Sequence, residues 1–239
     1  MTTTMQDDSV EQLYRATTTP RLMRVPPLTF LCLDGHGDPN TNPTYADAVR
    51  ALFSMSFAAK FAIKRASGQN VKVSPLEGLW WAHDMDTFLT GHKSDWDWTM
   101  MIRQPDLVTG DLVDRLAAEL TAKKSLPAIH DLRLVTIAEG AAAQVLHVGP
   151  YADEGPTIER LHTYIRDRGF VFDGRHQKHH EIYLGDPRRA VPERLRTIIR
   201  QPCSPAESAE SAESDPTKER RNSVQRSSLP LCGRLDLAE

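Results

Sequence analysis

The spacing of apolar residues in the first half of the chain predicts three strands and two helices. Apolar residues recur every three or four positions between Tyr45 and Phe61, as they do on one face of an amphipathic helix. A short apolar run that begins after two prolines and ends at the turn sequence DGHGDPN predicts a strand. The predicted elements are a strand at 28–33, a helix at 45–64, a strand pair at 79–83 and 96–102, and a helix at 112–120.

The second half repeats this order of elements. Strands are predicted at 132–137 and 143–148, and the dipeptide Glu139-Gly140 between them indicates a hairpin turn. Ile158, Leu161 and Ile165 share one helical face, and Gly169 is a typical residue for ending that helix. Two further strands are predicted at 181–184 and 196–200.

Two short sequences also occur twice, in the same order. TYADAV at 44–49 resembles PYADEG at 150–155, and MIRQP at 101–105 resembles IIRQP at 198–202. Each match could arise by chance, but two matches in one order favour an internal duplication. We therefore expect an α+β fold of two tandem strand–helix–strand–strand modules, with a ligand groove between them.

The expected domain boundaries follow from the repeat and from composition. The modules are assigned to about 21–125 and 126–202, which together form one folded domain. Residues 1–20 are polar and rich in threonine, and we expect a flexible N-terminal segment. Residues 203–239 contain a repeated Ala-Glu-Ser triplet and predict a disordered tail. An alternative is that SLPLCGRLDL, near the end of this tail, is a docking segment.

Charge and composition limit the classes of partner and the compartment. The 239 residues include 29 Lys and Arg against 32 Asp and Glu, a net charge of −3, so we expect no nucleic-acid partner. No apolar run approaches the about 20 residues of a membrane span, so we expect no membrane partner. The start MTTTMQDDSV does not resemble a signal peptide, and the three cysteines (Cys32, Cys203 and Cys232) are odd in number and far apart. These features predict a cytoplasmic protein with reduced thiols.

Glu181 is the polar residue that points most clearly to chemistry. Strand alternation places Glu181 and Tyr183 on one face, and Ile182 and Leu184 on the other. In an apolar pocket the pKa of this carboxyl group would rise. It could then act as a general acid or base, or as the counter-charge of a cationic ligand. The alternative is a glutamate at the rim of the fold, paired with an arginine.

Aromatic residues are the second candidate feature. Four tryptophans fall within 19 positions: Trp80, Trp81, Trp96 and Trp98. Neighbouring strand residues face opposite ways, so Trp80 and Trp81 cannot share one pocket, whereas Trp96 and Trp98 face the same way. They could bind flat or cationic ligands, or simply fill a core. Tyr151 lies at a turn, where its phenol could donate a proton, and Tyr45 is its counterpart in the first module.

Metal and cofactor motifs are weak. His176, His179 and His180 form H-x-x-H-H in a segment with no helical pattern and no nearby cysteine, so we expect no metal site. Neither a complete phosphate-binding glycine motif nor a Gly-x-Ser-x-Gly elbow is present, and we expect no cofactor. Cys32 lies in an apolar strand and is expected to be buried.

Several segments together resemble one known family. VPPLTFLCLDGHGDPN, VSPLEGLWW, WDWTMMIRQPDLVT, VLHVGPYADEGPTI and HHEIYLGDPRR resemble the GyrI-like small-molecule-binding proteins over about residues 24–202. They are most similar to the stand-alone bacterial branch, which includes hydrolases of cyclopropanoid genotoxins. The resemblance implies an antiparallel sheet and an aromatic groove centred on a glutamate that matches Glu181. Trp80, Trp81, Trp96, Trp98, Tyr151 and Tyr183 match aromatic positions of these segments.

The resemblance also implies an activity. A flat cyclopropanoid would stack on tryptophans, Glu181 would position and deprotonate a water that opens the strained ring, and Tyr151 would hydrogen-bond the developing oxyanion. The role would be detoxification or drug resistance, without a cofactor. Two alternatives remain: a binding protein that sequesters drugs without turnover, and an inhibitor that acts by binding a protein partner. The oligomeric state stays open.

Overall fold

The computed structural model describes residues 8–82, 93–174, 177–187 and 189–206. Met1–Ser204 form one compact unit, and Pro205–Glu239 form a second unit, of which only the first two residues are described. The tail expected from residue 203 therefore lies almost entirely outside the described residues. No described helix is long and apolar enough to cross a membrane.

The described residues include four α-helices, and the three long ones lie where the apolar spacing predicted them. They are α1 (Val10–Leu13), α2 (Pro43–Ser67), α3 (Gly110–Thr121) and α4 (Gly155–Asp167). Helix α2 begins where the Asn42 side chain accepts a hydrogen bond from the Thr44 amide, and Pro43 occupies the first turn. It ends at Gly68, whose φ of 74° few other residues adopt.

Of the ten strands in the described part of the chain, eight form one antiparallel sheet in the order β1-β6-β9-β8-β3-β4-β2-β5. Its members are β1 (Arg21–Val25), β2 (Leu28–His36), β3 (Leu76–Ala82), β4 (Trp96–Arg103), β5 (Arg133–Ile137), β6 (Gly140–Val148), β8 (His179–Tyr183) and β9 (Arg196–Pro202). The two remaining strands, β7 (Phe170–Val171) and β10 (Ser204–Pro205), have two residues each.

The strand order shows two related halves. β2-α2-β3-β4 is one strand–helix–strand–strand series and β6-α4-β8-β9 is the other, and the two meet where β3 pairs with β8. The strand that precedes each half in the chain pairs with the other half. β1, which precedes the first half, pairs with β6, and β5, which precedes the second half, pairs with β2. The α+β architecture expected from the sequence is confirmed.

The hairpin predicted at Glu139-Gly140 is wrong. Strands β5 and β6 follow one another in the chain but lie far apart in the sheet, and β5 pairs with β2 instead. Gly140, with a φ of 70°, turns the chain away between them. The apolar pattern identified both strands but carried no information about their pairing.

Helices α2 and α4 cover the same face of the sheet, called the helical face below. Leu52 and Met55 of α2 are fully buried in one cluster with Met100 and Ile102 of β4. Leu161 and Ile165 of α4 pack in another cluster with Val145 of β6 and Ile199 of β9. β3 and β8 run between these two clusters, so their helical-face side chains lie between α2 and α4.

The N-terminal segment lies against the opposite face of the sheet, and here the structure differs from the expected domain boundary. Leu13 is fully buried, and its carbonyl accepts a hydrogen bond from Arg200. The Tyr14 hydroxyl donates to Glu77 of β3 at 2.7 Å, and the Leu146 amide of β6 donates to the Thr17 carbonyl. Leu13 and Tyr14 lie in a short apolar group within a mostly polar stretch, too short for the sequence pattern to assign it to the core.

Beneath this segment lies a buried network of four charged residues. His180 of β8 contacts Glu77 at 3.0 Å through Nε2 and Glu139 at 2.7 Å through Nδ1, and Arg200 of β9 donates to Glu139 at 3.1 Å. Burial alone would lower the pKa of His180, but Glu139 and Glu77 raise it to about 9. Two carboxylates therefore balance two cations, as a buried ionic cluster requires.

Candidate functional site

Glu181 lies on the helical face of β8, one of the two strands at which the two halves meet. Its carboxylate accepts hydrogen bonds from the Tyr183 hydroxyl at 2.7 Å and from His179 Nε2 at 2.9 Å. The three residues alternate along β8, so they share a face, and the predicted pairing of Glu181 with Tyr183 is correct. Across the strand pair stands Gly78 of β3, where a Cβ would lie 2.7 Å from Trp80 Nε1. Glycine at this position leaves room for the neighbouring rings.

Tyr183 connects Glu181 to the first tryptophan. Trp80 Nε1 donates to the Tyr183 hydroxyl at 3.0 Å, and that hydroxyl donates onward to Glu181. Burial and the Glu181 charge raise the pKa of Tyr183 well above its ordinary value, so the phenol stays protonated. This chain of donors fixes the orientation of the carboxylate.

His179 holds the other side of Glu181. Its Nδ1 lies 2.7 Å from the Gln201 amide nitrogen, which is a donor. Because a carboxylate only accepts, His179 Nε2 donates to Glu181, and the ring links this carboxylate to Gln201 of β9. The adjacent His180 faces the opposite side of the sheet, as strand alternation predicted, and His176 lies outside the described residues.

A second carboxyl group, Glu154, lies against Glu181. It immediately precedes α4 and is 4% exposed. Burial and the neighbouring charge of Glu181 raise the pKa of Glu154 to about 10, so it is protonated at neutral pH and hydrogen-bonds to Glu181. The sequence reasoning missed it, because an acidic residue before a helix is a common N-terminal residue and nothing indicated its burial.

The two carboxyl groups share one proton, and it resides on Glu154 rather than on Glu181. Burial alone would raise the pKa of Glu181, but hydrogen bonds from His179, Tyr183 and Glu154 lower it below its usual value. Glu181 is thus the ionised member and Glu154 the neutral one. A pair of carboxyls with separated pKa values is the usual arrangement for a base beside an acid.

Aromatic rings surround the pair on the helical face. Tyr151 meets Tyr183 edge to face at 5.7 Å and is 38% exposed. Trp80 contacts Tyr45 at 6.3 Å and Trp96 at 5.9 Å between ring centroids. Burial and the nearby Glu181 raise the pKa of Tyr151 to about 12, so its hydroxyl is a hydrogen-bond donor.

The two other tryptophans have different surroundings. Trp98 is fully buried, donates to the Gly37 carbonyl at 3.2 Å and supports Tyr45 edge to face at 5.3 Å. Trp81 faces the opposite side of the sheet from Glu181, where the Lys178 ammonium lies 3.2 Å from its ring centroid. The structure therefore places Trp80 beside Tyr183 and Glu181, with Trp96 packed against Trp80. It puts Trp98 behind Tyr45 and separates Trp81 from this group.

The described residues contain no group of three His, Cys, Asp or Glu side chains placed to hold a metal ion. Cys32 and Cys203 are buried, and burial raises the pKa of each thiol to about 12. Neither thiol is a nucleophile in this state. The chemistry available at the site is that of carboxyl groups, one imidazole, phenols and indoles.

This fold, with two carboxyl groups among aromatic rings, defines a small-molecule-binding domain. Residues 18–202 match the model of the GyrI-like small molecule binding domain, and the chain belongs to this family. No curated protein matches the chain.

Solved structures from Listeria innocua are similar over most of the chain. An uncharacterised conserved protein is 32% identical with a TM-score of 0.75, and the match covers 82% of this chain and 97% of that one. A protein described as a hydrolase is 32% identical with a TM-score of 0.71, covering 81% and 96%. A second structure of a hydrolase is 31% identical with a TM-score of 0.69, covering 82% and 96%.

Proposed function

We propose that the protein binds flat, lipophilic aromatic molecules beside Glu181 and hydrolyses cyclopropanoid compounds among them. The observation that carries this proposal is the pair of glutamates beside the aromatic rings, in which Tyr183 and His179 hold the Glu181 carboxylate. The surroundings lower the pKa of Glu181 and raise that of its neighbour Glu154. The family and the similarity to hydrolases support it. The role would be the removal of an electrophile before it alkylates DNA, as the sequence resemblance implied.

In the proposed reaction, water adds to the strained ring. Glu181 accepts a proton from the water while the water oxygen bonds to the ring carbon. The carbon–carbon bond of the ring breaks, and its electron pair moves toward the oxygen of the conjugated carbonyl. Glu154 donates its proton to the carbonyl oxygen of the substrate, and the Tyr151 hydroxyl donates a hydrogen bond to the same oxygen as negative charge develops on it. Proton transfer from Glu181 back to Glu154 restores the starting state, so neither oxidant nor cofactor is consumed.

The aromatic residues would position the substrate. Tyr151 is the most exposed ring of the cluster, and Trp80 and Trp96 extend the wall behind Tyr183. Stacking on such rings excludes water from all but the reacting face. Trp81 is omitted from this proposal because it lies on the other side of the sheet.

A second function uses the same site without chemistry. A single negative charge among aromatic rings would also bind a lipophilic cation, with Glu181 as counter-charge. The protein would then sequester a drug rather than destroy it. The two functions differ in whether a product forms.

The first test is a mass-spectrometric time course with a cyclopropanoid of the duocarmycin type. The wild-type protein is expected to form a ring-opened product that has gained one water, over many turnovers. Glu181→Gln should lower the rate by about a hundredfold or more, since a general base contributes that much, while ligand still quenches tryptophan fluorescence. Glu159→Gln, on the exposed side of α4, is the matched control and should retain full activity.

Two results would contradict the proposal. Full turnover by Glu181→Gln would remove the glutamate from the mechanism. Quenching without any product in the wild-type protein would favour the sequestering function, and lipophilic cations would be the next ligands to test.

A further inference from the structure

The C-terminal half of α2 carries an exposed apolar ridge. Phe57 is 46% exposed and Phe61 is 52% exposed, and they lie one helical turn apart. Phe53 stacks on Phe57 at a centroid distance of 6.5 Å. The other large apolar side chains exposed in the described part of the chain come from separate segments, whereas these two form a continuous strip.

Basic residues flank the ridge on both sides. A groove of about 190 Å³ between α2 and α3 is lined by Phe61, Leu120, Arg65 and Lys123. On the other flank, Lys60 and Lys72 line a shallow depression. Among the described residues that line the groove and the depression, Glu119 is the only acidic one. The chain as a whole carries −3, so this positive charge is local.

We propose that this face docks on an anionic lipid membrane. Phenylalanine side chains insert among acyl chains while lysine and arginine remain at the level of the headgroups, which is the usual arrangement of a peripheral membrane helix. A second copy of the chain is a poor occupant, because a twofold contact through the ridge would bring the basic flanks of the two copies together.

The docked face would leave the candidate site accessible. Tyr45 lies in the first turn of α2, and Phe57 follows it by twelve residues, which is about 18 Å along the helix. The sequence led us to expect no membrane partner because no apolar run could span a bilayer. Peripheral docking needs only two side chains and their charged surroundings. This inference does not depend on turnover, since it concerns a surface separate from the carboxyl pair.

The test is co-sedimentation of the full chain with vesicles, without any substrate. Vesicles of phosphatidylcholine and phosphatidylglycerol in equal parts should carry the protein down, vesicles of pure phosphatidylcholine should not, and added salt should release it. Lys60→Gln and Arg65→Gln should each lower the partition coefficient about fivefold, the equivalent of about 1 kcal/mol per basic residue. Phe57→Ser with Phe61→Ser should abolish binding.

Matched controls lie elsewhere on the surface. Val191→Ser removes an apolar side chain that is 54% exposed, and Arg189→Gln removes a charge whose side chain is 88% exposed. Both should sediment like the wild-type protein. Circular dichroism of the aromatic side chains would establish that the Phe57 and Phe61 variant is folded.

Four outcomes would overturn the proposal. One is absence of binding to the anionic vesicles, and another is unchanged binding by the folded Phe57 and Phe61 variant. The third is a dimer in sedimentation velocity that this variant abolishes and that vesicles do not dissociate, which would assign the face to a second copy. Tight binding of poly-glutamate that vesicles cannot displace would likewise assign it to an acidic protein partner.

Discussion

At the scale of single residues, the site depends on the unequal state of two similar groups. Glu181 is held ionised by donors on both sides, and Glu154 is held neutral by burial and by the charge beside it. Neither state follows from residue type, since both are glutamates. The surroundings separate the acid from the base.

Glu154→Gln tests this division. Glutamine keeps the shape and can still donate a hydrogen bond to Glu181, but it cannot transfer a proton. We expect ligand binding to persist while kcat falls by about a hundredfold or more, as for loss of a general acid. Equal losses in kcat and in affinity would indicate that Glu154 has only a structural role.

The same pair predicts how kcat/KM changes with pH. Wild-type kcat/KM should decline at high pH as Glu154 loses its proton, near its pKa of about 10, and at low pH as Glu181 is protonated. In Glu154→Gln the alkaline decline should disappear. Its persistence would assign the decline to another group.

At the scale of elements, the N-terminal segment belongs to the folded unit. Helix α1 has only four residues, too few to be stable alone, so its tertiary contacts must hold it. Leu13 packs in a cluster with Met23 and Met101, and Tyr14 closes the Glu77 end of the ionic network.

Leu13→Ala measures that contribution. The substitution should lower the free energy of unfolding by about 2–5 kcal/mol, the usual cost of a cavity at a fully buried leucine. Urea denaturation gives the value, and Leu107→Ala, at a site that is 46% exposed, should cost less than about 0.5 kcal/mol. A loss at Leu13 as small as the loss at Leu107 would mean that the segment adds nothing to the core.

At the scale of the whole molecule, the buried ionic network makes stability depend on pH. His180 has a folded pKa of about 9 against an ordinary 6.5, so its stabilising contribution is complete below pH 6.5 and is lost as pH rises through 9. Burial alone would raise the pKa of Glu139, but His180 and Arg200 lower it from 4.5 to about 2. Its contribution is complete above pH 4.5 and is lost toward pH 2.

His180→Gln should therefore destabilise the protein most at mildly acidic pH. Below pH 6.5 we expect a loss of about 3–5 kcal/mol, the usual result of removing one partner from a buried ion pair. The difference between wild type and variant should shrink between pH 6.5 and 9. Thermal denaturation across pH gives this difference. The comparison also cancels the effect of Glu154, whose raised pKa likewise lowers stability as pH rises. A difference independent of pH would mean that His180 is neutral in the folded protein.

The sequence by itself determined the elements and the faces of their side chains. Apolar spacing located the three long helices and most strands, because burial on one face imposes a period of its own on each type of element. Alternation along β8 correctly placed Glu181 on the same face as Tyr183. The order of the two repeated motifs indicated the paired halves.

Tertiary structure alone decided the pairing of strands and the partners of each polar group. β5 pairs with β2 rather than with its neighbour β6, since pairing joins segments that are distant in the chain. Glu154 meets Glu181, and Glu139 meets His180, for the same reason. A pKa depends on burial and on nearby charge, and both are properties of the folded chain rather than of any one residue.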